Sequence, residues 1–404
     1  MSSPVLTRPR PRHRAADLLT AYLPGSFYYS SAGGTLLADG VVTSVRAESG
    51  SRAGATAQAL ADAAAAGVPE PIAVGAIGFR PDGQASLVVP AVVRRAAPPE
   101  GEAEPRRPGV GPVTWSVTPR PEPEVYTMAV QEALDRIGRA ELRKVVLARA
   151  LELTTDAPVA VPPLLARLVR ANPAAHAFAV DVTEPGDPAT RTLLGASPEL
   201  LVSRKGDRVV ANPLAGSRPR VADEQENRRL IAELRASEKD RAEHAHVAAQ
   251  VAEVLGRFCS DLDVPAEPEV IGTPTMWHLS SRITGRLADA GDPASSSLAL
   301  AEALHPTPAV CGVPTEAARR TIAELEPEDR GYYSGLVGWT AENGDGEWVV
   351  TIRCAEVCDR TVRLFAGAGI VEGSDPAAEL AETSAKFRTL LRALGVPQDT
   401  EEAA

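Results

Sequence analysis

An α+β fold, with antiparallel sheets and helices packed outside them, is the architecture predicted for this chain of 404 residues. Strong apolar strand runs follow one another through short turns, as in Glu347–Val357 and Thr361–Val371, and such neighbours pair antiparallel. Helical spacing concentrates in a few long stretches, chiefly Val125–Arg139, Glu224–Phe258 and Pro376–Leu394. Apolar residues at 44% and charged residues at 24% give ordinary globular composition and exclude a largely disordered chain.

The first segment, residues 1–96, mixes short strand-like runs at Val41–Val45 and Pro71–Phe79 with an alanine-rich helix near Ala55–Ala66. Residues 97–124 change character: PPEGEAEPRRPGVGP and PRPEPE have the proline and charge of an exposed connector. The main region, 125–397, opens on the Val125–Arg139 helix, with Met128, Leu134 and Ile137 among its apolar positions, and a tail, 398–404, follows it. A strand at Lys144–Leu153, a short helix at Leu164–Arg170 and strands at Ala177–Val182, Arg191–Leu194 and Leu200–Ser203 come next. Glu224–Phe258 reads as a helical stretch broken once, and the last helix carries Pro376 in its first turn and Gly395 just past its end.

A net charge of −11 argues against nucleic-acid or anionic-membrane partners. No stretch approaches the roughly 18 apolar residues of a spanning helix. The basic opening Arg8–Arg14 is broken by prolines and has no apolar run behind it. Cys259, Cys311, Cys354 and Cys358 form neither a disulfide framework nor a CxxC pair, so they read as reduced packing residues of a cytoplasmic protein, expected as a monomer.

Candidate chemistry lies on the helices first. Glu379, Glu382 and Lys386 share one face of the last helix, and Asp240 and Glu243 repeat the i, i+3 acidic spacing in SEKDRAEH. Two such pairs can supply the oxygens of a Mg²⁺ site, although the same spacing describes solvated helix faces. Arg353 lies in the apolar run EWVVTIRCAEV, where alternation puts it on a face with Val349, Thr351 and Ala355. A guanidinium there needs an anion, either an internal acid or a ligand. Lys144 opens a strand on a face with Val146 and Ala148, as a desolvated base or as a solvated strand end. Glu199 follows Pro198 in GASPELL, and nothing local separates it from a loop acid. Gly367-Ala368-Gly369 in FAGAGIV exposes backbone to close approach, and NPLAGSRPR, which holds Gly216 and Ser217, is the other glycine-bearing segment. His278 in TPTMWHLSS is a binding candidate whose alternative is a hydrogen-bonded structural histidine. Nucleophile elbow, HExxH and P-loop motifs are absent.

In order, KVVLAR, GASPELL, PLAGSRPR, SEKDRAEH, TPTMWHL, LHPTPAVCGVP, ELEPEDRGYYSGLVGW, GEWVVTIRC, FAGAGIV and ETSAK resemble the motif series of the chorismate-utilising enzymes over about 124–395. Upstream, LLTAYLPGSFYYSSAGGTLLADG and VGAIGF resemble siderophore-type isochorismate synthases. The resemblance implies a sandwich of two antiparallel sheets with helices outside and a cleft between the sheets. It implies Glu243 and Glu382 as Mg²⁺ ligands, Asp240 and Glu379 behind them through water, and the substrate's ring carboxylate on the metal near Lys386. Arg353 would grip the enolpyruvyl carboxylate with Gly216, Ser217 and the backbone around Gly367–Gly369. Lys144 would activate the water that attacks ring C2, and Glu199 would protonate the departing C4 hydroxyl. Ammonia-using relatives carry Gln in place of Lys144, and aminodeoxychorismate synthases carry a nucleophilic Lys where Ala215 stands. Ala309 occupies a position where salicylate-forming relatives tend to carry Thr. Isochorismate synthesis is therefore the expected activity, with salicylate synthesis its rival and a non-catalytic chorismate-binding paralogue the remaining class.

Overall fold

The computed structural model describes residues 13–46, 51–99 and 114–396. The basic opening before His13, the middle of the connector and the tail lie outside the described residues.

β-Branched and leucine-rich runs such as Lys144–Thr154 are buried along nearly their whole length because both of their faces are covered. Even positions Ala148 and Ala150 point into the core between two sheets, whereas Leu151 and Leu153 meet helices on the outside. The larger sheet is ten-stranded. It runs Gly312–Val313, Lys144–Thr154, Thr361–Ile370, Cys354–Cys358, Arg191–Ser197, His176–Asp181, Phe27–Ser31, Gly34–Asp39 and Val92–Ala96. Ser116–Arg120, from the segment read as a connector, adds to it beside Lys144–Thr154. The nine-stranded sheet runs Cys259–Asp263, Ile283–Leu287, Arg208–Asn212, Leu200–Lys205, Gly346–Val350, Leu336–Ala341, Ile72–Ile77, Ala85–Val89 and Thr43–Ser44. A three-stranded sheet, Leu214–Pro219, Met276–Ser280 and Glu269–Gly272, completes the α+β sandwich.

Tyr29, Val74, Phe178, Val337, Val349 and Phe365 interdigitate between the two large sheets. Helices Val161–Ala171 and Pro376–Leu394 cover the outer face of one, and Glu238–Leu255 and Ser297–Leu304 that of the other. The amino-terminal part is woven into both sheets, Phe27–Ser31 pairing with His176–Asp181 and Ile72–Ile77 with Leu336–Ala341.

Several expectations need correction. Glu347–Val357 is not one strand: Gly346–Val350 belongs to the nine-stranded sheet and Cys354–Cys358 to the ten-stranded one. Thr351–Arg353 carries the chain across, and Arg353 has a left-handed φ of +50°, so the alternation assigned to it does not hold. Met128 is 71% exposed, and the helix Pro123–Gly138 buries Tyr126, Val130 and Ala133 instead. Only Thr43–Ser44 of the Val41–Val45 run pairs as strand, with Val41 and Val42 exposed. Glu224–Phe258 does break once, at Ser237, whose hydroxyl caps the second helix by accepting from Asp240 N. Gly395 closes the last helix at φ +75°.

One buried ion pair ties a helix end to the central strand. Arg330 Nε donates to Glu326 Oε2 at 2.8 Å and its Nη atoms to the carbonyls of Val310 and Val146. Glu326 Oε1 accepts from Ala148 N at 2.8 Å. Removing the acid alone leaves a buried guanidinium without its counter-ion. Glu326→Ala is expected to lower unfolding free energy by about 3–5 kcal/mol in urea denaturation, with Glu326→Gln costing less.

Candidate active site

Two chain crossings between the large sheets build the wall of an internal cavity. At the first, Ser197–Leu200, the chain leaves the ten-stranded sheet, and Glu199 sits on the bend. At the second, Thr351–Arg353, it returns. The crossings are hydrogen-bonded to one another: Ser197 Oγ donates to Val350 O at 2.7 Å, and Val350 N donates to Glu199 O at 3.2 Å. Ala196 N holds Arg353 O at 3.1 Å. Glu199 and Arg353 are thereby placed on the same cavity by backbone pairing rather than by side-chain contact.

The three-stranded sheet and one strand of the larger sheet supply the rest of the wall. Ser217 and His278 are register partners, and Ser217 Oγ lies 2.9 Å from His278 Nδ1. His278 Nε2 faces Arg353 Nη2 at 3.2 Å. A guanidinium can only donate, so Nε2 accepts and Nδ1–H donates to Ser217. Burial, and then the charges of Arg353 and Lys386, hold His278 well below its ordinary pKa and therefore neutral. Gly216 forms the bulge before Ser217 at φ +74°, where a Cβ would crowd Asp240. Gly369 lies under Glu243, and a Cβ there would stand 2.2 Å from Glu243 Oε1. That strand position must be glycine for the carboxylate to enter. Gly367, Ala309 and Tyr333 also line the cavity.

Every carboxylate of the acidic pairs rests on a cation. Lys144 is wholly buried, with Nζ 2.9 Å from Glu243 Oε1 but no hydrogen-bond acceptor aligned on it. Lys386 Nζ lies 2.6 Å from Glu382 Oε1 and donates to Gly367 O at 2.7 Å. Lys239 reaches Glu379 at 2.7 Å, and Arg218 reaches Asp240 at 2.7 Å. Asp240 and Glu379 are buried, which rules out the solvated-face reading for both. Lys144 is likewise no solvated strand end. Burial pushes Glu382 up, but Lys386, with Lys239 and Arg353, brings it below the ordinary carboxylate range. Glu379 is raised by burial and by Glu382, against the pull of Lys239. Among the described residues no three His, Cys, Asp or Glu side chains converge as a metal site in this arrangement.

Glu199 is the exception to this pairing. It is 3% exposed, and its Oε1 has no hydrogen-bond partner. Burial raises its pKa to about 7 despite the charges of Arg353 and Lys144 and the backbone N–H of Leu214. Arg353, also buried, forms no ion pair among the described residues, so the internal acid once open to it is not there. Burial draws its guanidinium down from its ordinary value, opposed by Tyr333, Glu382 and Glu199. The cavity therefore presents the Arg353 cation and a carboxyl, Glu199, whose pKa is raised to about 7, with Lys386 also on its lining.

Glu199, Gly216, Ser217, Glu243, His278 and Ala309 all line one cavity, together with Arg353, Gly367, Gly369, Glu382 and Lys386. Lys144, Asp240 and Glu379 stand behind it, in contact with its wall. Tyr333 and Lys239 were not singled out from the sequence. Tyr333 stacks on Phe365 at 5.2 Å, and its place in a GYYSG turn carries no periodic signal. Lys239 had a detectable clue: it is a cation in the first turn of a helix, where the macrodipole favours acids. A second hollow, between the Arg136 and Arg320 helices, is lined by arginines of which Arg136 and Arg139 are already matched by Glu132, Glu141 and Glu324.

The model of the family described as "Chorismate binding enzyme" matches residues 96–395. Isochorismate synthase DhbC of Bacillus subtilis is 49% identical over 389 residues, covering 95% of this chain and 97% of its own. Isochorismate synthase EntC of Escherichia coli K12 is 42% identical, covering 83% and 84%. The crystal structure of DhbC from Bacillus anthracis superposes with a TM-score of 0.89 at 44% identity, over 95% of this chain and 100% of that one. By the extent of the family match, and by the identity and coverage of these relatives, the chain belongs to the chorismate-binding enzyme family.

Proposed function

We propose that the chain is an isochorismate synthase, converting chorismate to isochorismate by adding water at ring C2 and releasing the C4 hydroxyl. Glu199 carries the reading: a buried, unpaired carboxyl that keeps its proton to about pH 7 is a general acid awaiting a leaving group. Its neighbour Arg353, lacking an acid of its own, is the fork for a substrate carboxylate. The His278–Ser217 pair holds that fork through His278 Nε2. Relatives bearing the name isochorismate synthase at 49% and 42% identity support the same activity.

Lys144 Nζ, the cation on Glu243 behind the cavity wall in this arrangement, serves as the general base only in its neutral form. It takes a proton from the water attacking C2 while Glu199 Oε gives one to the departing hydroxyl. The ring double bonds shift, one water enters and one leaves. The turnover leaves Lys144 protonated and Glu199 ionised, and transfer of one proton between them restores both. Ala309 brings no hydroxyl to the cavity wall to orient the enolpyruvyl group for elimination.

The acids suit a hard divalent cation. They offer only carboxylate oxygens, from two helices, and a lysine ammonium, Lys239, already feels the charges of Glu379, Glu243 and Glu382 together. Mg²⁺ held by Glu243 and Glu382, with Asp240 and Glu379 behind, would supply the charge that lets a ring carboxylate sit among acids. Excess EDTA is expected to abolish turnover, and added Mg²⁺ to restore it. Full activity in EDTA would remove the metal from the reaction.

Glu199→Gln is expected to cost about 10²-fold or more in kcat, and Lys144→Ala a similar factor, in proteins that stay folded. The acid works only while protonated, so wild-type kcat/KM should fall as pH rises through about 7. That limb should be missing from the residual activity of Glu199→Gln. A limb retained in Glu199→Gln assigns it to another group.

Purified protein given chorismate and Mg²⁺ is expected to form isochorismate on chromatography. In a lactate-dehydrogenase-coupled assay, pyruvate should appear only after an isochorismatase is added. Pyruvate in step with salicylate fluorescence, without that addition, would make the protein a salicylate synthase.

A further inference from the structure

The three glutamates beside the cavity are matched by three lysines, but the lysines are not equivalent. The Lys144 and Lys386 side chains are 0% and 12% exposed, whereas Lys239 is 36% exposed over a Glu379 that is only 2% exposed. Lys239 thus has a path to solvent that the other two lack. Its position is also unfavourable by itself. It lies in the first turn of the helix Glu238–Leu255, beside Glu238 and Asp240, where the helix dipole repels a cation. What holds it is Glu379, whose burial makes an unpaired charge costly.

As they stand, the acids do not converge, because each is turned onto its own cation. An ammonium 2.7 Å from Glu379 Oε1 competes with a divalent ion for that carboxylate. We propose that Lys239 is a displaceable internal cation. Its ammonium neutralises the acidic cluster in the metal-free protein and withdraws to solvent when a divalent metal ion takes over that cluster. This role rests on the metal reading given above. It makes Lys239 a positioning residue that sets the strength of metal binding without touching substrate. It also keeps the acids paired, and the helices Glu238–Leu255 and Pro376–Leu394 together, when no metal is present.

The test uses the full chain and the metal alone, without chorismate. Mn²⁺ binding is followed by electron paramagnetic resonance in wild type, Lys239→Met and Lys239→Arg. Thermal unfolding is measured in EDTA. Lys239→Met should bind Mn²⁺ about ten- to a hundredfold more tightly, the range supported by losing one competing hydrogen bond to a charged group. Its metal-free Tm should fall, while Lys239→Arg should stay near wild type in both. In the wild type, acylation of Lys239 by an amine reagent, read by mass spectrometry, should speed up when Mn²⁺ is added. Equal Mn²⁺ affinity in wild type and Lys239→Met, or acylation of Lys239 indifferent to metal, would overturn this role and leave the metal reading standing. Absence of a stoichiometric Mn²⁺ site in the wild type would overturn both.

Discussion

The hydrogen-bonded pair of sheet crossings is the constraint on which the rest of the molecule depends. Where the chain passes between the two large sheets, Ser197–Leu200 on one pass and Thr351–Arg353 on the other, the backbone leaves one ladder before joining the next. Ser197 Oγ to Val350 O, and Val350 N to Glu199 O, satisfy groups that would otherwise be buried without partners. Backbone pairing does the fixing, so the side chains of Glu199 and Arg353 are free to face the cavity. Glu199 Oε1 remains unbonded, and Arg353 accepts a left-handed φ in exchange for its position.

Charge organises the opposite wall. Buried carboxylates are tolerable only with cations at hand, and Lys144, Lys386, Lys239 and Arg218 provide them in contact pairs. Strand glycines let these pairs press against the sheet: Gly369 makes room for Glu243, and Gly216 for Asp240. Within this ionic wall Glu199 alone keeps a carboxyl without a matched cation in contact, and its pKa rises accordingly. The site contrasts paired acids, poised to hold a cation, with one unpaired acid, poised to hold a proton. Differences in environment rather than in residue type assign those roles.

Much of this was legible in the sequence, and each failure has its own physical origin. The faces of the last helix and of Lys144–Thr154 followed from periodicity, since one side of each meets a continuous apolar layer. The Gly395 cap followed from local backbone chemistry, whereas the single break in Glu224–Phe258 was legible without its position at Ser237. The run EWVVTIRCAEV misled because it contains no glycine or proline at its turn. Its apolar residues are satisfied on both sides of the crossing, by one sheet before Thr351 and by the other after Arg353. Met128 misled for the opposite reason: a long apolar side chain at a helical spacing faces water, while Tyr126 and Val130 one face away are buried.

The amino-acid sequence by itself determined the long helices and most of the strong strands, because those properties depend on neighbours within a few positions, but not where EWVVTIRCAEV divides between the sheets. Through the family motifs it also named most of the residues that line the cavity, with Lys144, Asp240 and Glu379 standing behind it. Only the tertiary structure decided that Glu199 is buried with its pKa raised while Asp240, Glu243, Glu379 and Glu382 are paired. Desolvation and Coulomb energy depend on groups brought from distant parts of the chain, such as Lys144 to Glu243 and Lys239 to Glu379. The same holds for Arg353, which forms no ion pair among the described residues although Glu199 and Glu382 are near enough to act on it, a fact that no local pattern can contain.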